Sequence, residues 1–185
     1  MKAREILVWS AAALVIAAIV HVGSVVALPR FIMSRALTAM GAPNSVHHGK
    51  RADSSSRGVV RPSPDLLYST CPYDLSKGPL RVRAVIPAGT YWSVSAFDAN
   101  TDNFFARNDR QSLTRTFEFV VTGPGPGNIP LPPRDEIVIS PTAKGLILFR
   151  TLVDSEDDLA RVDAARRQAT CESISFSAPS SSKGG

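Results

Sequence analysis

Apolar residues run almost without interruption from Ile6 to Leu28, and no comparable stretch recurs along the 185 residues. At about 1.5 Å per residue, a helix over this run measures about 34 Å, enough to cross a hydrocarbon core of about 30 Å. Lys2 and Arg4 precede it, an arrangement shared by membrane anchors and secretory signals. Val25-Val26-Ala27 offers a small-residue cleavage site, so a cleaved signal stays open as an alternative. The run exceeds a signal core of about 7 to 15 residues, and Leu28-Pro29 is a poor context after a cut, which favours a single uncleaved transmembrane helix. Ser10, His21 and Ser24 interrupt the run; a lone neutral histidine toward the end of a span is read as interfacial rather than as a proton relay. Downstream, Phe31, Ile32, Leu37 and Met40 are spaced for a short helix lying on the membrane surface, with Arg30 and Arg35 snorkelling to headgroups. Residues 1–40 are therefore expected to form a membrane anchor and its juxtamembrane segment.

The pattern then changes twice. Residues 41–65 have no apolar period and are rich in Gly, Pro and Ser, which predicts a flexible linker. Over 66–176, apolar and polar positions alternate instead. Leu80-Arg81-Val82-Arg83-Ala84 sends apolar and basic side chains to opposite faces, and Trp92, Val94 and Ala96 alternate with Ser93 and Ser95. Phe117, Phe119 and Val121 repeat the pattern, and the runs Ile137-Val138-Ile139 and Leu146-Ile147-Leu148-Phe149 predict buried strands. Lys77-Gly78-Pro79, Pro87-Ala88-Gly89, Ala99-Asn100 and Gly123-Pro124-Gly125-Pro126-Gly127 punctuate them as turns or loops. One helix interrupts the series: Ser155-Glu156-Asp157-Asp158 supplies an N-cap signal, Leu159, Val162 and Ala165 follow at helical spacing, and Arg166 and Arg167 close it. The expected fold is mainly β: an antiparallel β-sandwich of jelly-roll or Greek-key type with one C-terminal α-helix, preceded by a single N-terminal transmembrane helix. Residues 177–185 are expected to be a disordered tail.

Charge separates the anchor from the domain. The formal net charge is +5, yet residues 66–178 carry twelve Lys and Arg against thirteen Asp and Glu, while residues 1–65 carry eight against three. The excess base thus flanks the anchor, where anionic headgroups attract it, and it offers no nucleic-acid groove. Lys2 and Arg4 before the span nearly balance Arg30 and Arg35 after it, so the positive-inside rule alone is close to neutral on orientation. The cysteines shift the balance. In an exported domain Cys71 and Cys171 favour a disulfide over two free thiols, and closing a loop of that length stabilises by roughly 4 to 5 kcal/mol in the chain-entropy model. The expected orientation is then a cytoplasmic N-terminus with the domain exported.

Candidate chemistry is sparse. His21, His47 and His48 all fall outside the expected domain, which argues against a Ser-His-Asp triad, a Cys-His pair or a histidine metal site built within it. His47-His48 with Asp53 in a flexible segment makes no defined metal site. Asp98, Asn100, Asp102 and Asn103, with Asp109 at the twelfth position, have the oxygen ligands of a calcium loop, but strand patterns flank them and Asn103 stands where such a loop needs Gly. A hairpin turn with Asx hydrogen bonds is the favoured reading. Arg81 and Arg83 share a strand face that either holds an anionic ligand or is simply solvated. Tyr91, Trp92 and Phe97 are expected in the core or as the lining of a pocket. No cofactor is expected, and no catalytic residue is assigned.

Several segments together resemble the bacterial domain of unknown function 1254: Cys71-Pro72-Tyr73-Asp74-Leu75-Ser76; Tyr91-Trp92-Ser93-Val94-Ser95 with Asp98 and Asn103-Phe104; Gly123-Pro124-Gly125; Ser140-Pro141-Thr142; and Arg150-Thr151-Leu152-Val153-Asp154 before Asp158-Leu159. The resemblance covers about residues 66–171. It implies a β-sandwich-like domain and, in longer members, a companion domain of unknown function 1214 on the same chain. This chain resembles the short membrane-anchored members, which implies a companion on a separate polypeptide. The leading expectation is an anchored envelope protein whose periplasmic domain binds a partner protein or an envelope ligand. The alternative is an accessory subunit or envelope hydrolase whose active site a companion completes.

Overall fold

The computed structural model describes residues 2–57, 61–111, 114–124 and 136–174. The expected tail 177–185 and the latter part of the Gly/Pro run lie outside the described residues. One long helix, α1 (Ala3–Ala39), opens the chain. Among the described residues nine strands and a short helix follow: β1 (His47–His48), β2 (Leu66–Asp74), β3 (Leu80–Val85), β4 (Trp92–Asp98), β5 (Asn103–Asn108), β6 (Thr116–Thr122), β7 (Glu136–Ile139), β8 (Lys144–Leu152), α2 (Leu159–Arg166) and β9 (Thr170–Ser173).

The strands form two sheets, ordered β1-β2-β8-β4-β5 and β7-β6-β3-β9. Their inward side chains make one core, with Trp92, Val94 and Ala96 from β4, Ile147 and Phe149 from β8, Leu80, Val82 and Ala84 from β3, and Phe119 and Val121 from β6. These are the apolar members of the two-residue alternation. Phe105 of the first sheet lies 4.9 Å from Phe119 of the second, centroid to centroid, and Trp92 meets Phe117 edge-on at 6.0 Å. Cys71 on β2 is bridged to Cys171 on β9, with 6.6 Å between Cα atoms, so the disulfide crosses the core and joins the sheets.

The fully antiparallel expectation fails at one pair, because β7 runs parallel to β6. Residues 123–135 separate the two strands, and a connection of about a dozen residues is long enough to re-enter the sheet from the same end. At the C-terminal helix, residues Glu156–Asp158 form a 3₁₀ turn and the α-helix begins only at Leu159. Val162 is buried with Leu67 and Val153, as the helical spacing predicts, in a small second core.

Two corrections concern the N-terminal third. Residues 30–40 do not form a separate surface helix. Helix α1 continues through Pro29 to Ala39, and Met33 and Ala36 are buried where it meets β8. Pro29, Met33, Ala36 and Met40 fall on one face, and β8 offers Leu146 and Leu148 on the side away from the inter-sheet core.

The stretch expected as a flexible linker is also partly built into the domain. His47 and His48 pair with Thr70 and Ser69 of β2, and the Gly49 amide donates to the Tyr68 carbonyl at 3.0 Å. Asn44, with φ +58°, donates from Nδ2 to the Asp74 carbonyl at 2.9 Å and to Ser173 Oγ at 2.8 Å, while its Oδ1 accepts from the Asp74 amide at 2.8 Å. Gly41, at φ +109°, leaves room for the His47 ring; a Cβ there would stand 2.6 Å from Cε1. Two of the three histidines therefore belong to the domain. Polar residues reach the sheet because the free edge of β2 recruits backbone amides, whatever side chains accompany them.

Candidate functional site

The acidic cluster resolves into a turn. Asp98 is 2 % exposed, and its Oδ1 accepts from the amides of Asn100 at 2.7 Å and Asp102 at 3.0 Å, while Oδ2 accepts from Asn100 Nδ2 at 3.0 Å. The Asp98 amide donates to the Asp102 carbonyl at 3.0 Å, and Thr101 takes φ +72° to close the β4–β5 hairpin. Asp102 is exposed, and Asn103 already begins β5. Asp109 follows the end of that strand, about 20 Å along it at about 3.3 Å per residue. The twelve-residue loop reading thus places its last carboxylate at the opposite end of the sheet. Among the described residues, no group of three His, Cys, Asp or Glu is placed to hold a metal ion.

The turn belongs to a larger buried knot. Tyr73 Oη lies 2.8 Å from Ser140 Oγ and donates to the Phe97 carbonyl at 3.3 Å. Ser140 Oγ donates to the Thr142 carbonyl at 2.6 Å, and Thr142 Oγ1 accepts from the Ala99 amide at 2.9 Å. Burial pushes the Tyr73 hydroxyl up to about 12, with the Asp98 charge adding to the rise against the lowering effect of Ser140 and Thr142. Gly145 permits the approach, since a Cβ there would overlap the Phe97 carbonyl oxygen and the Tyr73 hydroxyl. Three of the segments that carried the family resemblance therefore converge at one end of the domain. Spacing could not reveal the contact, because Tyr73 lies in β2, Asp98 ends β4 and Ser140 follows β7.

Arg81 donates to Glu118 Oε1 at 2.6 Å on the outer face of the second sheet, and Arg83 is exposed. A carboxylate thus sits among the basic residues of that face. Trp92 is core, as expected, whereas Tyr91 is exposed on the rim of a cleft.

Two clefts remain. One, of about 560 Å³, is lined by Pro87, Gly89, Tyr91, Asp109, Arg115 and Asp154. The other, of about 470 Å³, lies between the β1 segment and α2 and brings together His48, Lys50, Arg51, Asp163, Arg166 and Arg167. Arg166, with its side chain 5 % exposed, is the centre of this second cleft. Its Nε donates to Asp163 Oδ1 at 2.6 Å, Nη1 to the Tyr68 carbonyl at 2.9 Å and Ser69 Oγ at 3.3 Å, and Nη2 to the Gly49 carbonyl at 3.0 Å. Asp163 also accepts from Arg167 Nε at 2.7 Å. Burial works to raise the Asp163 carboxyl, but bonds from Arg167 and Arg166 outweigh it and hold the group below the ordinary carboxylate range. His48, whose Nδ1 lies 2.9 Å from Ser69 Oγ, is lowered by burial and then by the charges of Arg166 and Arg167. The helical pattern makes Arg166 a basic residue that closes α2, and β2 together with the segment after β1 encloses it.

The chain is thus a two-sheet β-domain with an inter-sheet disulfide, a short helix at one edge and a long apolar N-terminal helix. It belongs to the DUF1254 family of proteins of unknown function, whose model matches residues 43–173 and so takes in the β1 segment. A solved structure, the VPA0106 protein from Vibrio parahaemolyticus, is similar with a TM-score of 0.63 and 15 % identity; the match covers 87 % of this chain and 41 % of that one. An uncharacterised protein from Burkholderia cenocepacia is similar with a TM-score of 0.47 and 14 % identity, over 86 % of this chain and 44 % of the other. The chain thus spans less than half the length of either protein. No curated protein sequence matches it.

Proposed function

We propose that this chain is a bacterial inner-membrane protein whose α1 spans the bilayer with its N-terminus in the cytoplasm, holding a jelly-roll or Greek-key β-sandwich in the periplasm. That domain binds a partner protein, a separate companion carrying the domain of unknown function 1214. The observation that carries the reading is the form of α1: its apolar run is exposed along its length, while its last turns bury Met33 and Ala36 against β8. Cleavage after Ala27 would leave those turns docked with no apolar run to serve, which supports an anchor over a signal. The disulfide is compatible with an oxidising compartment. A partner surface is offered by β7, an edge strand whose Ile137 and Ile139 are 52 % and 67 % exposed. The test is affinity isolation of the full chain from membranes with and without Ile137→Lys and Ile139→Lys. The companion should co-purify with the parent chain and be lost from the double variant; equal recovery would refute the surface, and a soluble periplasmic chain with its N-terminus intact would refute the anchor.

The first cleft favours a second reading, an accessory subunit or envelope hydrolase completed by the companion. Asp109, Arg115 and Asp154 line it with no ion-pair partner among the described residues. On this reading Asp109→Asn or Asp154→Asn abolishes an activity of the complex while leaving assembly intact.

A further inference from the structure

We propose that the cleft between the β1 segment and α2 is a binding site for a phosphate group, as a phosphate monoester or as the headgroup phosphate of a lipid. Four cations line it, Lys50, Arg51, Arg166 and Arg167, against two carboxylates, Asp163 and Glu156. That leaves a surplus of two positive charges with His48 neutral, the charge of a phosphate dianion. Internal pairing accounts for only part of the cationic capacity. One carboxylate, Asp163, is shared by two guanidinium groups, and Arg51 pairs at 2.5 Å with Glu156, which is 73 % exposed and therefore well screened.

The unspent donors are the ones suited to an oxyanion. Arg167 engages Asp163 through Nε alone, so both of its Nη groups are without a partner among the described residues. Arg51 spends Nε on the Pro64 carbonyl and Nη1 on Glu156, leaving Nη2. Lys50 has no partner among the described residues. A planar guanidinium fork beside a mobile ammonium is how proteins hold a tetrahedral oxyanion from more than one side. The buried Arg166 fixes this arrangement, since its bond to Gly49 holds the β1 segment opposite α2 and its bond to Tyr68 ties α2 to β2. A helix dipole would account for a cation at the end of α2, but not for Lys50 and Arg51 facing it from another segment. Burial is the first cause that lowers His48 and the charges of Arg166 and Arg167 the next, and a bound anion would offset the second of these.

The experiment uses the full chain in nanodiscs of zwitterionic lipid, with inorganic phosphate compared with chloride at matched ionic strength. At ten times the dissociation constant, phosphate should raise Tm by about 5 °C, and the His48 titration followed by NMR should move upward. Both effects should vanish in Lys50→Gln/Arg167→Gln and persist in Arg83→Gln, which changes an exposed arginine elsewhere. Nanodiscs carrying phosphatidic acid form the second arm. A response there but not to free phosphate identifies a lipid headgroup; a response to free phosphate alone identifies a soluble monoester. No response in either arm, or one that survives the double variant, overturns the site. The lipid arm rests on α1 as an anchor, but the free-phosphate arm does not, so failure of the two readings is distinguishable.

Discussion

Replacing Cys71 and Cys171 together with Ala removes a link that joins the two sheets across 100 residues of chain. In the chain-entropy treatment, releasing a loop of that length from the unfolded state costs the fold about 4.7 kcal/mol at 25 °C. Both residues lie in the core, at 0 % and 3 % exposure, so the truncated side chains also leave small voids worth about 1 kcal/mol. A domain of this size has about 5 to 15 kcal/mol in total, so the variant should sit near the edge of folding. Urea unfolding of the full chain in detergent micelles tests this by tryptophan fluorescence. Trp92 is 2 % exposed and reports on the core, while Trp9, in the apolar run of α1, stays in the detergent as the domain unfolds and gives a flat background. With a slope of about 2 kcal/mol per molar urea, the midpoint should fall by about 2.9 M. Reduction of the parent chain should produce most of the same fall without the voids. A drop of less than about 0.5 M in both cases would refute the assignment of the disulfide as the principal tie between the sheets.

Further outcomes follow from the two polar centres. Arg166→Met should cost about 3 kcal/mol in the same urea assay, because the Gly49 carbonyl and Asp163 each lose a charged donor inside the protein, although Arg167 still serves Asp163. His48 titrates below its unfolded value in the native state, so the unfolded chain takes up the proton first. Its contribution is therefore intact above about pH 6.5 and declines as pH falls through the lower native value; His48→Gln should flatten that part of a Tm-versus-pH curve. Gly145→Ala should destabilise by about 2 to 3 kcal/mol, since Phe97 and Tyr73 leave no room for the methyl group, and thermal melts will show it. Ser93 Oγ is buried without a hydrogen-bond partner among the described residues, so Ser93→Ala should be neutral or slightly stabilising.

The strands of the domain were legible because Trp92, Val94 and Ala96 announce their buried face by period alone, and the Asx turn at Asp98 announces itself by residue type. The β1 segment was not, since His47 and His48 join the sheet through main-chain bonds that leave no apolar signature. The parallel entry of β7 was equally hidden: a run such as Ile137-Val138-Ile139 specifies a strand but not its direction. Arg166 illustrates the hardest case. On its own helix it looks like a favourable C-terminal cation, and its burial is decided by Tyr68, Ser69 and Gly49, 98, 97 and 117 positions away. The same non-local convergence conceals the contact of Tyr73 with Ser140 and the gathering of Lys50 and Arg51 beside Arg166 and Arg167.

The unbroken passage of α1 into the face of β8 has a mechanical consequence under the proposed topology. From Leu28 to Ala39 the helix rises about 17 Å, with Pro29 as the one position that lacks an amide donor. A domain carried on such a mast keeps a nearly constant height and tilt, and explores mainly rotation about the bilayer normal and diffusion in the plane. A partner anchored at a matching height meets it by a two-dimensional search with little orientational freedom left to lose, which raises the effective concentration of the pair without any added contact.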